Sequence, residues 1–134
     1  SSFDQSAMVV IHVGKAPNQK DFCAHQSILT ARSEFFRRAL NGPWKESQMR
    51  AITLSDESAE AFGLYLHGIY TNQFAVRAGN LESIRTVGRD HYIAEIYLEY
   101  QLLFEIYVLA DFLQDLKAKN SLMEAIFEVA NTGG

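Results

Sequence analysis

The sequence contains few of the residues that cross-link a chain or stiffen its backbone. Its 134 residues include one cysteine and two prolines. A single thiol cannot form a disulfide within the chain, and this favours a reducing compartment. Cys23 lies in an apolar, strand-like stretch, so we expect it to be a small core residue.

Three kinds of segment are also missing. The net charge is −4 and no block of lysine and arginine occurs, so we expect no nucleic-acid partner. No run of about 18 apolar residues is present, so we expect no membrane partner. The first residues lack the basic and then apolar pattern of a signal peptide. We therefore expect a cytoplasmic and/or nuclear protein.

Signatures of catalysis and of metal binding are absent too. The four histidines have no metal-ligand spacing, and neither a nucleophile elbow nor a phosphate-binding loop is present. Asp21 and His25 could form a dyad with Ser27 or Ser33, but Ser33 is expected in mid-helix, where hydroxyls usually bond the backbone. The sequence predicts a protein that is not an enzyme and has no cofactor, metal or small-molecule substrate.

The residues that are present predict one α+β domain. Hydrophobic residues make up 48% and charged residues 21%, which is ordinary globular usage. Strands come early and helices late, which favours a small three-stranded sheet against helices. The predicted elements are strands at 8–13, 21–24 and 51–54, helices at about 28–40, 59–70 and 92–113, and a last helix with apolar residues from 116 to 129.

Local signals predict how these helices begin and how deeply they lie. Ser27 is the expected N-cap of the first helix, and Ser55 or Asp56 that of the second. The 92–113 helix is apolar nearly all round, which is typical of a buried helix. The segment at about 72–91 has no periodicity and is interpreted as a loop, which is either an insertion or a contact surface.

The last helix carries two neighbouring rows of apolar residues. One row contains Leu116, Asn120, Met123 and Phe127. The other contains Leu122, Ile126 and Val129. Earlier in the chain, charges of both signs alternate, and we interpret them as a solvated helix face. These residues are Glu34, Arg37, Arg38, Lys45, Glu46 and Arg50.

Three motifs in order resemble the BTB/POZ domain family. The first runs from Phe22-Cys-Ala-His25 to Phe36, and the second joins Ile52-Thr-Leu54 and Ser58–Phe62 to Gly68-Ile-Tyr-Thr71. The third, Tyr107 to Asn120, is similar to a run found in fungal members. The signature residues that we expect to be structural are Phe22, His25, Leu29, Ser33, Phe36 and Tyr70.

The resemblance implies a helical cluster flanked by a small sheet, with the domain at 8–130 and tails at 1–7 and 131–134. It implies binding activity: self-association and, in many members, docking onto a cullin scaffold as a ubiquitin-ligase adaptor. The cullin contact of the family, an apolar residue, any residue and Glu, corresponds to Trp44-Lys45-Glu46. Alternatively, Trp44 folds back onto the domain and Glu46 is solvated. A self-association or scaffold domain without a ligase role is the other hypothesis.

The sequence departs from the family at two positions. Dimeric repressor-type members have an acidic residue at the start of the first strand and a basic residue just after the histidine. Met8 and Gln26 stand there instead, which predicts that the charged dimer pocket is missing. Few residues precede the first strand, so a domain-swapped dimer is not expected. The Asn131-Thr-Gly-Gly end indicates a domain excised from a longer protein.

Overall fold

The computed structural model describes residues 7–41, 50–74 and 89–133, which form three strands and five helices. This is the α+β architecture that the sequence predicts. In chain order the elements are β1 (Met8–Val13), β2 (Lys20–His25), α1 (Gln26–Arg32), α2 (Glu34–Asn41), β3 (Ala51–Leu54), α3 (Ala59–Thr71), α4 (Arg89–Phe112) and α5 (Leu116–Gly133).

The sheet is mixed, with β1 between the two other strands. β2 pairs antiparallel with β1, and β3 pairs parallel with it. Side chains alternate across β1, so Val9, Ile11 and Val13 are fully buried while their neighbours face outward. The helices therefore cover one face of this sheet.

The predicted first helix is two helices that meet at Ser33. Ser33 has an extended backbone and is fully buried. Its hydroxyl accepts from Phe36 N at 3.1 Å, which caps α2, and donates to the carbonyl of Leu113 at 2.6 Å. The prediction of a mid-helix Ser33 was therefore wrong. The carbonyl that accepts from its hydroxyl lies 80 residues away in the sequence, so no local pattern indicates the break between the two helices. Ser27 is not the N-cap either, since α1 begins after His25.

α3 begins and ends with polar caps. The Ser58 hydroxyl accepts from Ala61 N at 3.1 Å, so Ser58 is the N-cap and the prediction of Ser55 or Asp56 was wrong. Asn72 ends the helix in the left-handed conformation. A Cβ at Gly68 would lie 2.1 Å from the ring of Phe74, so only glycine fits beneath this buried ring.

α4 and α5 are consecutive helices joined by three residues. α4 buries Leu103, Ile106 and Ala110 but leaves Phe104 and Val108 half or more exposed. The expectation that this helix is buried all round was therefore wrong: α4 has one buried side and one apolar side that the described residues do not cover. None of the described helices combines the length and apolarity needed to cross a membrane.

The joint between α4 and α5 contains the buried carboxylate of Asp115. Its oxygens accept from the Tyr65 hydroxyl and from Ala118 N, each at 2.9 Å, and Arg32 Nε lies 3.5 Å away. Asp115 therefore caps α5 and also links it to α1 and α3. Burial, and then the charge of Asp115, raises the pKa of Tyr65, so this phenol stays protonated and donates.

Two further sequence expectations have a clear outcome. Cys23 is exposed, which contradicts a core position, because it lies on the outer face of the edge strand β2. Arg37 and Arg38 are exposed and pair with Glu34, as a solvated face predicts. The interior of the predicted loop, 75–88, lies outside the described residues, and α4 already includes residues 89–91.

Replacing Asp115 by asparagine tests the buried joint. Asp115→Asn keeps the shape of the side chain but leaves Arg32, which is nearly buried, without its counter-charge. We expect a loss of about 3 kcal/mol in the free energy of unfolding, measured by urea denaturation. Asp56→Asn is the control, since its pair with Lys15 is solvent-exposed and is worth less than about 1 kcal/mol. Equal losses in the two variants would contradict a stabilising role for the joint.

Replacing Ser33 by alanine tests the bond between α2 and the joint. Ser33→Ala removes a cap and leaves the buried Leu113 carbonyl with one donor fewer, so we expect a loss of about 2 kcal/mol. The matched variant Ser58→Ala removes only an N-cap at an exposed residue and should cost about 1 kcal/mol. Thermal unfolding that ranks Ser58→Ala as the more damaging change would refute the assigned bond.

Candidate functional site

The predicted contact residues Trp44 and Glu46 lie outside the described residues. The structure does describe both ends of the chain around them. Before them, α2 ends at Asn41, directly after the buried Leu40. After them, the carbonyl of Arg50 accepts from Val10 N at 3.0 Å, which joins the chain to the sheet. The core therefore anchors the chain on both sides of residues 42–49.

Phe22 lies on β2 and packs on α3. Its ring centroid is 5.1 Å from that of Phe62, and its edge lies 3.4 Å from the place of a Cβ at Gly63. The contact brings the edge strand and the helix together. Leu29 of α1 and Phe36 of α2 are fully buried in the same core.

His25 and Tyr70 hold the end of β2 against the end of α3. The amide N–H of His25 donates to the Tyr70 hydroxyl at 2.8 Å, and the hydroxyl oxygen lies 2.7 Å from His25 Nδ1. One hydroxyl thus contacts both the backbone and the ring of the histidine. Such a bonded pair at an element junction indicates a positioning role in the fold.

Asp21 and His25, the residues of the possible catalytic dyad, do not pair with each other in the structure. Asp21 pairs with His12 across the β1–β2 hairpin at 2.7 Å, His25 contacts Tyr70, and the Ser33 hydroxyl is bonded to Leu113 and Phe36. Within the described ranges, no cluster of histidine, cysteine, aspartate and glutamate could hold a metal ion.

Met8 and Gln26, which stand where repressor-type members carry charged residues, lie close to each other. Met8 begins β1 and pairs in register with His25, and it is partly exposed. Gln26 begins α1, and its amide N–H donates to the carbonyl of Ala7 at 2.9 Å. Neither side chain carries a charge, so no ion pair forms between these two residues.

The structure adds a surface that the sequence interpretation missed. Apolar side chains of α4 and α5 are exposed although both helices are well anchored in the core. On α5 the row from Leu116 to Phe127 is the exposed one, and the row with Leu122, Ile126 and Val129 is buried. The second apolar row on each helix was the available signal, since an ordinary surface helix has only one.

Comparison with known proteins gives one family. The BTB/POZ domain model matches residues 3–100. The chain is 48% identical over 56 residues to BTB/POZ domain-containing protein 9 of Homo sapiens, covering 41% of this chain and 9% of that protein. It is 30% identical over 78 residues to Kelch-like protein 40 of Xenopus laevis, covering 58% and 13% respectively. It is also 35% identical over 63 residues to Kelch-like protein 21 of Danio rerio, covering 47% and 10%.

The chain thus spans between 9% and 13% of the length of these curated relatives. The family match covers most of the chain and includes the whole sheet together with α1, α2 and α3. The mixed three-stranded sheet with its helical cluster is the fold that the resemblance implies. The chain therefore belongs to the BTB/POZ domain family, which is a family of protein-interaction domains.

Proposed function

We propose that this domain is a non-catalytic adaptor that docks onto a cullin ubiquitin-ligase scaffold through Trp44 and Glu46. The observation that carries the proposal is the Trp44-Lys45-Glu46 sequence, which follows α2 in a chain of this family. An apolar residue, any residue and glutamate in this place form the cullin contact of the cullin-binding members of the family.

The chemistry of the two residues suits a protein contact. Tryptophan is among the residues that contribute most to binding when a partner covers them. A neighbouring carboxylate adds charge-assisted hydrogen bonds and so selects the partner's donors. A tryptophan is costly to leave in water, so burial by a partner is favourable.

The contacts at the two ends of the 42–49 segment favour binding of a partner by this segment. Leu40 is buried just before it, and Arg50 is bonded to β1 just after it. A short segment held at both ends loses less conformational freedom on binding than a free one does. The same anchoring also fits the alternative, in which Trp44 packs on its own domain, and the two are separated by experiment.

Alanine variants test the contact. Trp44→Ala and Glu46→Ala are compared with the wild type in a pull-down with the cullin N-terminal region, followed by titration to obtain the Kd. We expect Trp44→Ala to cost at least about 2 kcal/mol of binding free energy, because an aromatic anchor is lost. We expect Glu46→Ala to weaken binding as well, since the partner's donors lose their acceptor.

Lys45→Ala is the matched control, because the middle position of the motif accepts any residue. It should bind like the wild type. Thermal unfolding of all four proteins shows whether a change in binding reflects a change in folding. Undiminished binding by both Trp44→Ala and Glu46→Ala would disprove the assigned residues, and no binding by the folded wild type would disprove the cullin role.

A further inference from the structure

A cleft beside the joint between α4 and α5 is lined by basic and amide side chains, and the cullin proposal does not use it. Its volume is about 480 Å³, and it is bordered by the end of α1, the start of α2, the joint itself and the first turns of α5. We call it the joint cleft. The lining residues that matter here are Arg32, Arg37, Gln114, Leu116, Lys117 and Asn120.

The two arginines of the joint cleft are held in place by the fold. The side chain of Arg32 is 12% exposed, its Nε lies 3.5 Å from Asp115 Oδ1, and its Nη1 donates to Asn72 at 3.2 Å. Arg37 donates through Nε and Nη2 to the carbonyl of Thr30, at 3.2 and 2.9 Å. Arginine side chains that are fixed before binding lose little further conformational freedom when an anion binds.

Three other side chains of the cleft have donors that no described residue uses. No carboxylate of the described residues lies within ion-pair distance of Lys117, and the side-chain amides of Gln114 and Asn120 form no hydrogen bond with the described part of the chain. All three side chains are exposed. An ammonium and two amides are therefore available to a ligand in the cleft.

The charges around the cleft leave an excess of positive charge. Glu34 also lines the cleft, but one of its oxygens pairs with Arg37 and the other with Arg38. Asp115 balances Arg32, so two carboxylates stand against three arginines and the lysine of the cleft. The chain as a whole has a net charge of −4. The cleft is therefore a local site for an anion on a protein whose net charge repels anions.

The size of this excess favours a phosphoryl group over a carboxylate. A phosphate on serine or threonine carries about −1.5 to −2 charges at pH 7, whereas a carboxylate carries a single one. Guanidinium, ammonium and amide groups are all donors that suit the three phosphoryl oxygens. Ligand sites in proteins occupy roughly 300 to 1,000 Å³, so the volume of the cleft leaves room for the residue that carries the phosphate.

We propose that the joint cleft binds a phosphorylated serine or threonine of a partner protein. The phosphoryl oxygens accept from Lys117 and from the amides of Gln114 and Asn120, while the two arginines add positive charge. Leu116 is 69% exposed beside them and packs on an apolar side chain next to the phosphorylated residue. Inorganic phosphate has the same charge but no side chain for Leu116 to contact. The site contains no residue of the proposed cullin contact, so its test is independent of cullin binding.

NMR titration of the isotope-labelled 134-residue chain tests the proposal. The probe is the blocked dipeptide acetyl-phosphoserine-leucine-amide, and two comparison ligands, inorganic phosphate and acetyl-glutamate-leucine-amide, are titrated at the same ionic strength. We expect the backbone amide shifts to cluster at the joint cleft, with residues 114–117 among them. The Kd of the phosphodipeptide should be at least about threefold lower than that of either comparison ligand, because only the phosphodipeptide combines the double charge with an apolar contact.

Lys117→Gln removes the free cation but keeps a long polar side chain. We expect its Kd for the phosphodipeptide to rise at least about fivefold, since a charge-assisted hydrogen bond is lost. Lys20→Gln is the matched control: this lysine is exposed on β2, outside the cleft, and its replacement should leave the Kd unchanged. Circular dichroism checks that both variants fold.

Three results would each overturn the proposal. The first is the absence of amide shifts at the joint cleft of the wild type. The second is a Kd for inorganic phosphate or for the glutamate dipeptide as low as that for the phosphodipeptide. The third is an unchanged Kd in the folded Lys117→Gln variant.

Discussion

The fold depends on one buried carboxylate at the joint between α4 and α5. Asp115 accepts from a hydroxyl of α3 and from the first turn of α5, and it lies beside a guanidinium of α1. A buried charge is tolerated only when its partners are all in place. Helices from both halves of the sequence must therefore assemble together. The helices α1, α3 and α5 cannot pack correctly while the joint is displaced.

The same joint fixes α2, and through α2 the part of the chain that follows it. The N–H groups of Glu34 and Phe35 donate to the carbonyls of Gln114 and Leu113, each at 3.3 Å, and the Ser33 hydroxyl donates to Leu113. Donors at the start of one helix thus satisfy acceptors at the end of another, and neither set needs water. The direction in which α2 delivers the chain to residues 42–49 is set by this contact.

The sheet and the number of later helices could be predicted because their signals are local. The alternation in β1 and the turn after it specify a hairpin without help from the rest of the chain. The break at Ser33 could not be predicted, because the carbonyl that holds its hydroxyl is 80 residues away. The sequence could not predict which side of α4 is buried either. Both sides of this helix are apolar, and only the position of α5 decides between them. Of the candidate site, the Trp44 motif remains a prediction from sequence, whereas the exposure of apolar rows on α4 and α5 required the structure.

The exposed apolar rows of α4 and α5 each contain one polar residue. Gln101 lies between Tyr97 and Phe104, and Asn120 lies between Leu116 and Met123, and both are exposed in line with the apolar rows. A continuous apolar row would accept many partners in many registers. One amide in each row restricts the registers that leave no polar group unpaired, at a cost in affinity. A specific contact of moderate strength therefore fits these two rows better than non-specific adhesion.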